Sequence, residues 1–138
     1  MISPSLVDTG PLVATVRRRE EAHERCVAAL KGFRAPLLTC WPVLTEVAWL
    51  LRGEPAGMKA IGEIVRSGVV EIVELDDDAL HWMIAFLLRY ASAGAQLADA
   101  ALMYLAEREG IDTVFTLDRR DFSVYRTTDG RALRIVPD

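Results

Sequence analysis

Five carboxylates stand where acids are least expected. Asp8 ends the apolar run Ser5-Leu6-Val7, and Glu46 interrupts Val43-Leu44 and Val47-Ala48. Asp99 lies inside Leu97-Ala98-Asp99-Ala100-Ala101-Leu102. Asp118 follows Val114-Phe115-Thr116-Leu117, with Asp121 three residues on. Acidic side chains are rarely buried unless paired or bound to metal. Taken singly, each has a plain structural reading. Asp8 reads as a helix N-cap, Glu46 as a half-exposed helix edge, Asp99 as an acid favoured by its helix dipole, and Asp118 and Asp121 as turn residues. Together, each at the edge of an expected element, they predict a shared acidic cleft. Gathered carboxylates repel one another and attract a divalent cation, and oxygen ligands suit Mg²⁺ or Mn²⁺. Such an ion orients water, lowers its pKa and neutralises charge on a phosphodiester, and two ions roughly 3.5–4 Å apart would hold both attacking and leaving oxygens. The products expected from that chemistry are a 5′-phosphate and a 3′-hydroxyl. Arg119, Arg120 and Arg126 flank Asp118 and are candidate phosphate contacts.

The apolar pattern supplies the elements that must position these acids. Strands are expected at 5–8, 36–40, 69–75, 113–117 and 131–136, and helices at 11–16, 23–30, 42–52, 58–66, 79–90 and 96–109. Thr9-Gly10-Pro11 reads as a turn, and Gly53-Glu54-Pro55-Ala56-Gly57 and Ser92-Ala93-Gly94 as breaks. Short apolar strands alternating with helices predict an α/β fold, a mainly parallel sheet covered on both faces. Ligands of such sheets bind beyond the C-terminal strand ends, where Asp8 and Asp118 fall. Glu46 shares a helix face with Val43 and Leu50, which is expected to pack inward and leave the carboxylate at the rim of the core.

The bulk properties limit the function. With 138 residues the chain predicts one domain, 1–138, and a hydrophobic fraction of 51% hints at a partner surface or homodimer. Cys26 and Cys40 make neither a disulfide framework nor a zinc site and read as reduced thiols. No apolar run approaches the roughly 18 residues of a membrane span. Met1-Ile2-Ser3-Pro4 has no signal-peptide character, so the expected location is cytoplasmic. A net charge of −4 argues against a general nucleic-acid coat, but not against a nuclease whose acidic cleft itself lowers the pI.

The acids sit in motifs that resemble a known family. Val7-Asp8-Thr9-Gly10-Pro11-Leu12-Val13-Ala14, Pro42-Val43-Leu44-Thr45-Glu46, Leu97-Ala98-Asp99-Ala100, and Thr116-Leu117-Asp118-Arg119-Arg120-Asp121-Phe122 followed by Tyr125-Arg126 look like the four motifs of PIN-domain ribonucleases. Order, spacing and length agree over essentially the whole chain. The similarity is strongest to VapC-type toxins of type II toxin–antitoxin pairs. The resemblance implies a PIN-like three-layer α/β/α sandwich and a Mg²⁺- or Mn²⁺-dependent endoribonuclease. It further implies a frequent homodimer, inhibited by a small antitoxin protein. It maps the catalytic, metal-binding set onto Asp8, Glu46, Asp99 and Asp118, with Asp121 as a further metal ligand. Thr9 and Thr116 become polar groups behind them. The Arg17-Arg18-Arg19 stretch is more basic than in many relatives and reads as a solvated face or an RNA approach.

Other readings have their own discriminators. Asp8-Thr9-Gly10 also matches the short signature of aspartic proteases, but those are all-β and this pattern is helical. Phosphatases and receiver domains with Asp at strand ends need an Asp-x-Asp, or an acidic pair and a late lysine. Here Asp8 is followed by Thr9-Gly10, and the lysines are Lys31 and Lys59. A non-catalytic module that binds RNA or a partner would not need the full acidic set. His23 and His81 read as structural or surface residues, and Trp41 and Trp49 as core or interface.

Overall fold

A computed structural model describes residues 4–138; the first three residues of the stretch read above for a signal peptide, 1–3, lie outside the described residues. The elements are β1 (Ser5–Val7), α1 (Thr9–Val16), α2 (His23–Leu30), β2 (Leu37–Thr39), α3 (Trp41–Leu50), α4 (Pro55–Arg66), β3 (Val70–Ile72), α5 (Asp77–Arg89), a 3₁₀ turn (Ala91–Ala93), α6 (Leu97–Glu109), β4 (Thr113–Phe115), α7 (Arg119–Phe122) and β5 (Arg134–Val136). The sheet has five strands in the order β3-β2-β1-β4-β5, and every pairing is parallel. Successive strand residues point to opposite faces. All of Ser5–Val7 and Thr113–Phe115 are buried, so helices cover the centre of the sheet on both sides. This is the α/β/α arrangement expected, with the strands shorter than their apolar runs.

The strand order decides where a ligand binds. The chain builds β1, β2 and β3 outward, then returns to place β4 on the other side of β1. The crevice at such a reversal, beyond the C-terminal strand ends, is the binding position of open parallel sheets. Asp8 follows β1 and Asp118 lies three residues after β4, so the two acids flank that crevice.

Several local expectations are corrected. Thr9-Gly10-Pro11 is not a turn but the first turn of α1. Asp8 caps it, its Oδ1 accepting from Thr9 N at 2.8 Å. Pro11 falls where a helix N–H has no partner in any case. The 53–57 break is shorter than expected, because Pro55 opens α4. The inward face of α3 is Val43, Val47 and Leu51, each fully buried, whereas Leu50 is exposed. Glu46 therefore sits at the edge of that face rather than within it. Trp41 and Trp49 are exposed and not in the core.

The basic run after α1 has a structural task. Arg17 donates to Glu20 Oε1 (2.7 Å), Glu54 Oε1 (3.1 Å) and the Leu50 carbonyl (2.6 Å), and Arg19 pairs with Glu54 at 3.3 Å. These contacts tie the end of α1 to the α3–α4 corner. His23 Nδ1 is 2.7 Å from the Ala14 carbonyl and joins α2 to α1. Cys26 and Cys40 are free and buried. Among the described residues no helix is long and apolar enough to cross a membrane.

Candidate active site

A cleft of about 480 Å³ opens at the strand crevice, and Asp8, Glu46, Asp99, Asp118 and Asp121 all line it. Segments distant in sequence meet there. Asp8 comes from the β1–α1 junction, Glu46 from α3, Asp99 from the first turn of α6, and Asp118 and Asp121 from the start of α7. Gly94 forms part of the wall, and its φ of 74° lets the chain turn sharply from α5 into α6.

The polar groups behind the acids fix their orientation. Thr9 links two of them: its N–H donates to Asp8 Oδ1 at 2.8 Å and its hydroxyl donates to Glu46 Oε2 at 3.0 Å. Thr116 links Asp8 to Asp118: its hydroxyl donates to Asp8 Oδ2 at 2.7 Å and accepts from Asp118 N at 3.0 Å. Asp118 Oδ1 in turn accepts from Asp121 N at 3.1 Å, capping α7. Asp99 Oδ2 accepts from Gln96 N at 3.1 Å and from the Tyr125 hydroxyl at 3.0 Å. Both donors use one oxygen of Asp99, which leaves Oδ1 without a hydrogen bond among the described residues. The plain reading of Asp8 as a helix N-cap thus holds, Asp99 joins a capping box at the start of α6, and Asp118, read as a turn residue, caps α7; the same side chains also line the cleft.

The electrostatics are those of a site awaiting a cation. None of the five carboxylates has a salt-bridge partner among the described residues. Burial pushes Asp8 up from 3.8 to about 6; its hydrogen bonds from Thr116 and Thr9 oppose this, and the charges of Asp99 and Glu46 add to it. Burial likewise raises Asp99, against its hydrogen bonds and with the help of Asp118 and Glu46. Asp121 is raised by burial and by Asp118 and Asp99, while Arg120 pulls it down. Among the described residues, no three acids form a closed cage for one ion. An open, oxygen-lined cleft suits Mg²⁺, which keeps several waters and commonly binds through one or two carboxylates plus substrate phosphate. The donor chemistry therefore fits the ion, and Asp8, Glu46, Asp99, Asp118 and Asp121 are the carboxylates from which its ligands would come, directly or through water.

The flanking arginines do not behave alike. Arg119 donates to the carbonyls of Pro137 (2.7 Å) and Ile135 (3.4 Å), so its guanidinium is engaged with the β5 end of the sheet rather than aimed at the cleft. Arg120 is exposed beside Asp121. Arg126 anchors to the carbonyls of Ser123 (2.7 Å) and Tyr125 (2.9 Å) through Nη1.

Tyr125 is a residue of the candidate site that pattern reading left without a role. It is fully buried, and its ring lies 5.0–5.2 Å from those of Phe86, Tyr90 and Phe122. A buried tyrosine hydroxyl needs a partner, which is the signal that could have marked it. Tyr125→Phe keeps the ring and removes one hydrogen bond to Asp99. Groups that orient metal ligands typically contribute 10–100-fold. A Mn²⁺ titration by calorimetry is expected to show roughly tenfold weaker binding at nearly unchanged Tm. Wild-type Mn²⁺ affinity in the variant would remove Tyr125 from this role.

An all-parallel α/β/α protein with an uncompensated carboxylate cleft at its strand reversal is the class that fold and site define. The PIN domain family model matches residues 5–127, and the chain belongs to the PIN-domain family. It is 25% identical over 135 residues to Ribonuclease VapC26 of Mycobacterium tuberculosis, covering 96% of this chain and 99% of that protein. Among solved structures it is similar to VapC20 of M. tuberculosis, described as a sarcin–ricin loop cleaving toxin. That match has a TM-score of 0.76 and 22% identity over 85% of this chain and 92% of the other. The family resemblance drawn from the four motifs therefore holds.

Proposed function

We propose that the chain is a Mg²⁺- or Mn²⁺-dependent endoribonuclease, the toxin of a type II pair neutralised by a small antitoxin protein. The observation that carries this reading is the gathering of five unpaired carboxylates in one cleft. Its PIN-family membership and its VapC-named relative support the same reaction. A bound divalent ion would supply Lewis-acid activation of water and charge neutralisation on the phosphodiester. The chain's own residues do the rest. Thr9, Thr116 and Tyr125 hold Asp8, Glu46 and Asp99 in fixed orientation, and Asp118 and Asp121 stay at the open side. Burial holds the Asp8 and Asp99 carboxyls above the usual carboxylate range, and the charge of a bound cation would oppose that shift.

Two apolar surfaces support partners. A concave groove of about 550 Å³ between α3 and α4, lined by Trp41, Leu44, Met58, Ile61 and Val65, suits an apolar segment of the antitoxin. Leu80, Ile84 and Leu88, four residues apart along α5, are exposed, and such a stripe would suit pairing with the same stripe of a second copy across a two-fold axis. Sedimentation equilibrium is expected to give twice the 15.3 kDa of one chain; a single-chain mass at all concentrations would remove the pairing. The working location is the cytoplasm, where RNA and antitoxin are both present.

The reading is tested by incubating the protein with a mixed RNA pool, with Mg²⁺, with Mn²⁺ and with EDTA, and mapping the ends. Cuts that need metal and leave 5′-phosphate ends are expected. RNA binding indifferent to metal, with no cleavage, would instead indicate a non-catalytic binding module.

A further inference from the structure

A second cleft lies behind the aromatic cluster. It runs between α5 and the chain after α7, encloses about 240 Å³, and is lined by Trp82, Ala85, Phe86, Arg89, Arg126 and Thr128. It brings two arginines together, and neither has an acidic partner within salt-bridge distance among the described residues. Of the fourteen arginines, five (Arg17, Arg19, Arg66, Arg108 and Arg131) pair with a carboxylate; what sets Arg89 and Arg126 apart from the other unpaired ones is that they line one cleft together.

The two clefts have no lining residue in common, but Tyr125 and Tyr90 connect them. The Tyr125 hydroxyl reaches Asp99 on one side at 3.0 Å, and the next residue, Arg126, lines the other side. Arg126 N donates to the Tyr90 hydroxyl at 3.0 Å, and the rings of Tyr90 and Tyr125 are 5.1 Å apart. Arg89 adjoins Tyr90, and the 3₁₀ turn that follows leads directly to Gly94 of the carboxylate cleft.

Arg126 is held before any ligand arrives, whereas Arg89 is only placed over a ring. Arg126 Nη1 is anchored to two carbonyls, which leaves Nε and Nη2 unbonded among the described residues. Arg89 lies 5.1 Å over the Tyr90 ring. Such preorganisation lowers the ordering cost of binding. A planar guanidinium recognises phosphate oxygens through paired donors. Trp82, half-buried over the buried Phe86, offers an apolar face to a sugar or base, and the Glu107 carboxylate accepts from its indole at 2.9 Å and from Thr128 N at 2.6 Å. The opposite flank is narrower: there the cleft containing Arg25 and Arg119 is only about 40 Å³.

An acidic catalytic cleft repels a polyanion, so substrate affinity has to come from cations beside it. We infer that Arg89 and Arg126 form a backbone track for single-stranded RNA, gripping phosphates next to the one held in the carboxylate cleft. This rests on the reading of that cleft as the RNA-cleaving site.

The test is RNA binding by fluorescence anisotropy across a salt series, with an end-labelled single-stranded RNA of mixed sequence in EDTA. Arg89→Ala is the primary variant, because the side chain is exposed and makes no hydrogen bond among the described residues; Arg89→Glu and Arg126→Ala accompany it. Each Ala variant is expected to weaken binding roughly 3–10-fold and to lower the slope of log K against log salt by about 0.7, the value for one phosphate of a single strand. Arg89→Glu is expected to weaken it further, with Mn²⁺ affinity unchanged in both Arg89 variants. Wild-type affinity and slope in Arg89→Ala and Arg89→Glu would overturn the track, as would absence of RNA binding by the wild type. So would Arg89 variants that bind RNA normally but lose inhibition by an acidic protein partner. The two readings fail separately. Metal-dependent cutting with normal RNA binding by the Arg89 variants removes only the track, whereas weakened RNA binding without any cutting by the wild type removes only the nuclease.

Discussion

Asp99→Asn is expected to lower metal-dependent RNA cleavage by roughly 10³-fold or more while the protein stays folded. The loss of one preorganised electrostatic group costs about 10²–10³ in comparable sites, and Asp99 would also be a ligand of the ion. The fold should survive because Asn is isosteric and its amide oxygen still accepts from Gln96 N and the Tyr125 hydroxyl, the two bonds that Asp99 Oδ2 makes. The exchange also removes a charge that Asp8 and Asp121 feel, so the metal-free variant should be no less stable than the wild type. End-mapped cleavage of an RNA pool, beside wild type with Mn²⁺ and wild type with EDTA, reads the effect. Cleavage by the variant at the wild-type rate would take Asp99 out of the chemistry.

The acids were legible because each contradicts its surroundings. Asp8 after Ser5-Leu6-Val7 and Asp99 within an Ala-rich helix are unexpected where burial is expected, and the order of strands and helices put them on one sheet edge. What was not legible depends on direction or distance. Arg119 adjoins Asp118 in sequence, yet its guanidinium reaches carbonyls 16 and 18 residues further on, because β5 lies beside β4. Tyr125 meets Asp99 across 26 residues, a contact set by the packing of its ring, just after α7, against Phe86 of α5 rather than by any local pattern. The four residues of α7 are too few to show a helical period, so the segment read as a loop. Pro55 read as a breaker, although at the first position of α4 it begins a helix.

The metal-free protein is expected to lose stability as pH rises from about 4 to about 7, and Asp8→Asn should remove much of that loss. Asp8 carries a folded pKa of about 6 against an ordinary value of 3.8. An acid whose folded pKa lies above its unfolded one binds its proton more tightly in the folded state. Its contribution therefore favours folding fully below pH 3.8 and is lost as pH rises through about 6. The full difference corresponds to roughly 3 kcal/mol. Asp99 and Asp121, also raised, act in the same direction. Glu54, Glu107 and Asp129 are lowered and act oppositely, and their contribution fades in more acid solution as they take up protons. In Asp8→Asn the amide cannot ionise, but its NH₂ has to donate to Thr116 Oγ1, which now donates to Asp8 and already accepts from Asp118 N. That reorientation offsets part of the gain at neutral pH, so the slope against pH is the cleaner reading than absolute stability. Urea unfolding in EDTA at pH 4, 5.5 and 7 (about the span of the two Asp8 pKa values) measures it. Mn²⁺ at pH 7 should restore the wild type by roughly 2.7 kcal/mol at a hundredfold excess over its Kd, and restore Asp8→Asn by less at the same concentration. Parallel pH slopes for the two proteins would show that Asp8 ionises normally, and would separate the cleft's burial of charge from its ability to hold a cation.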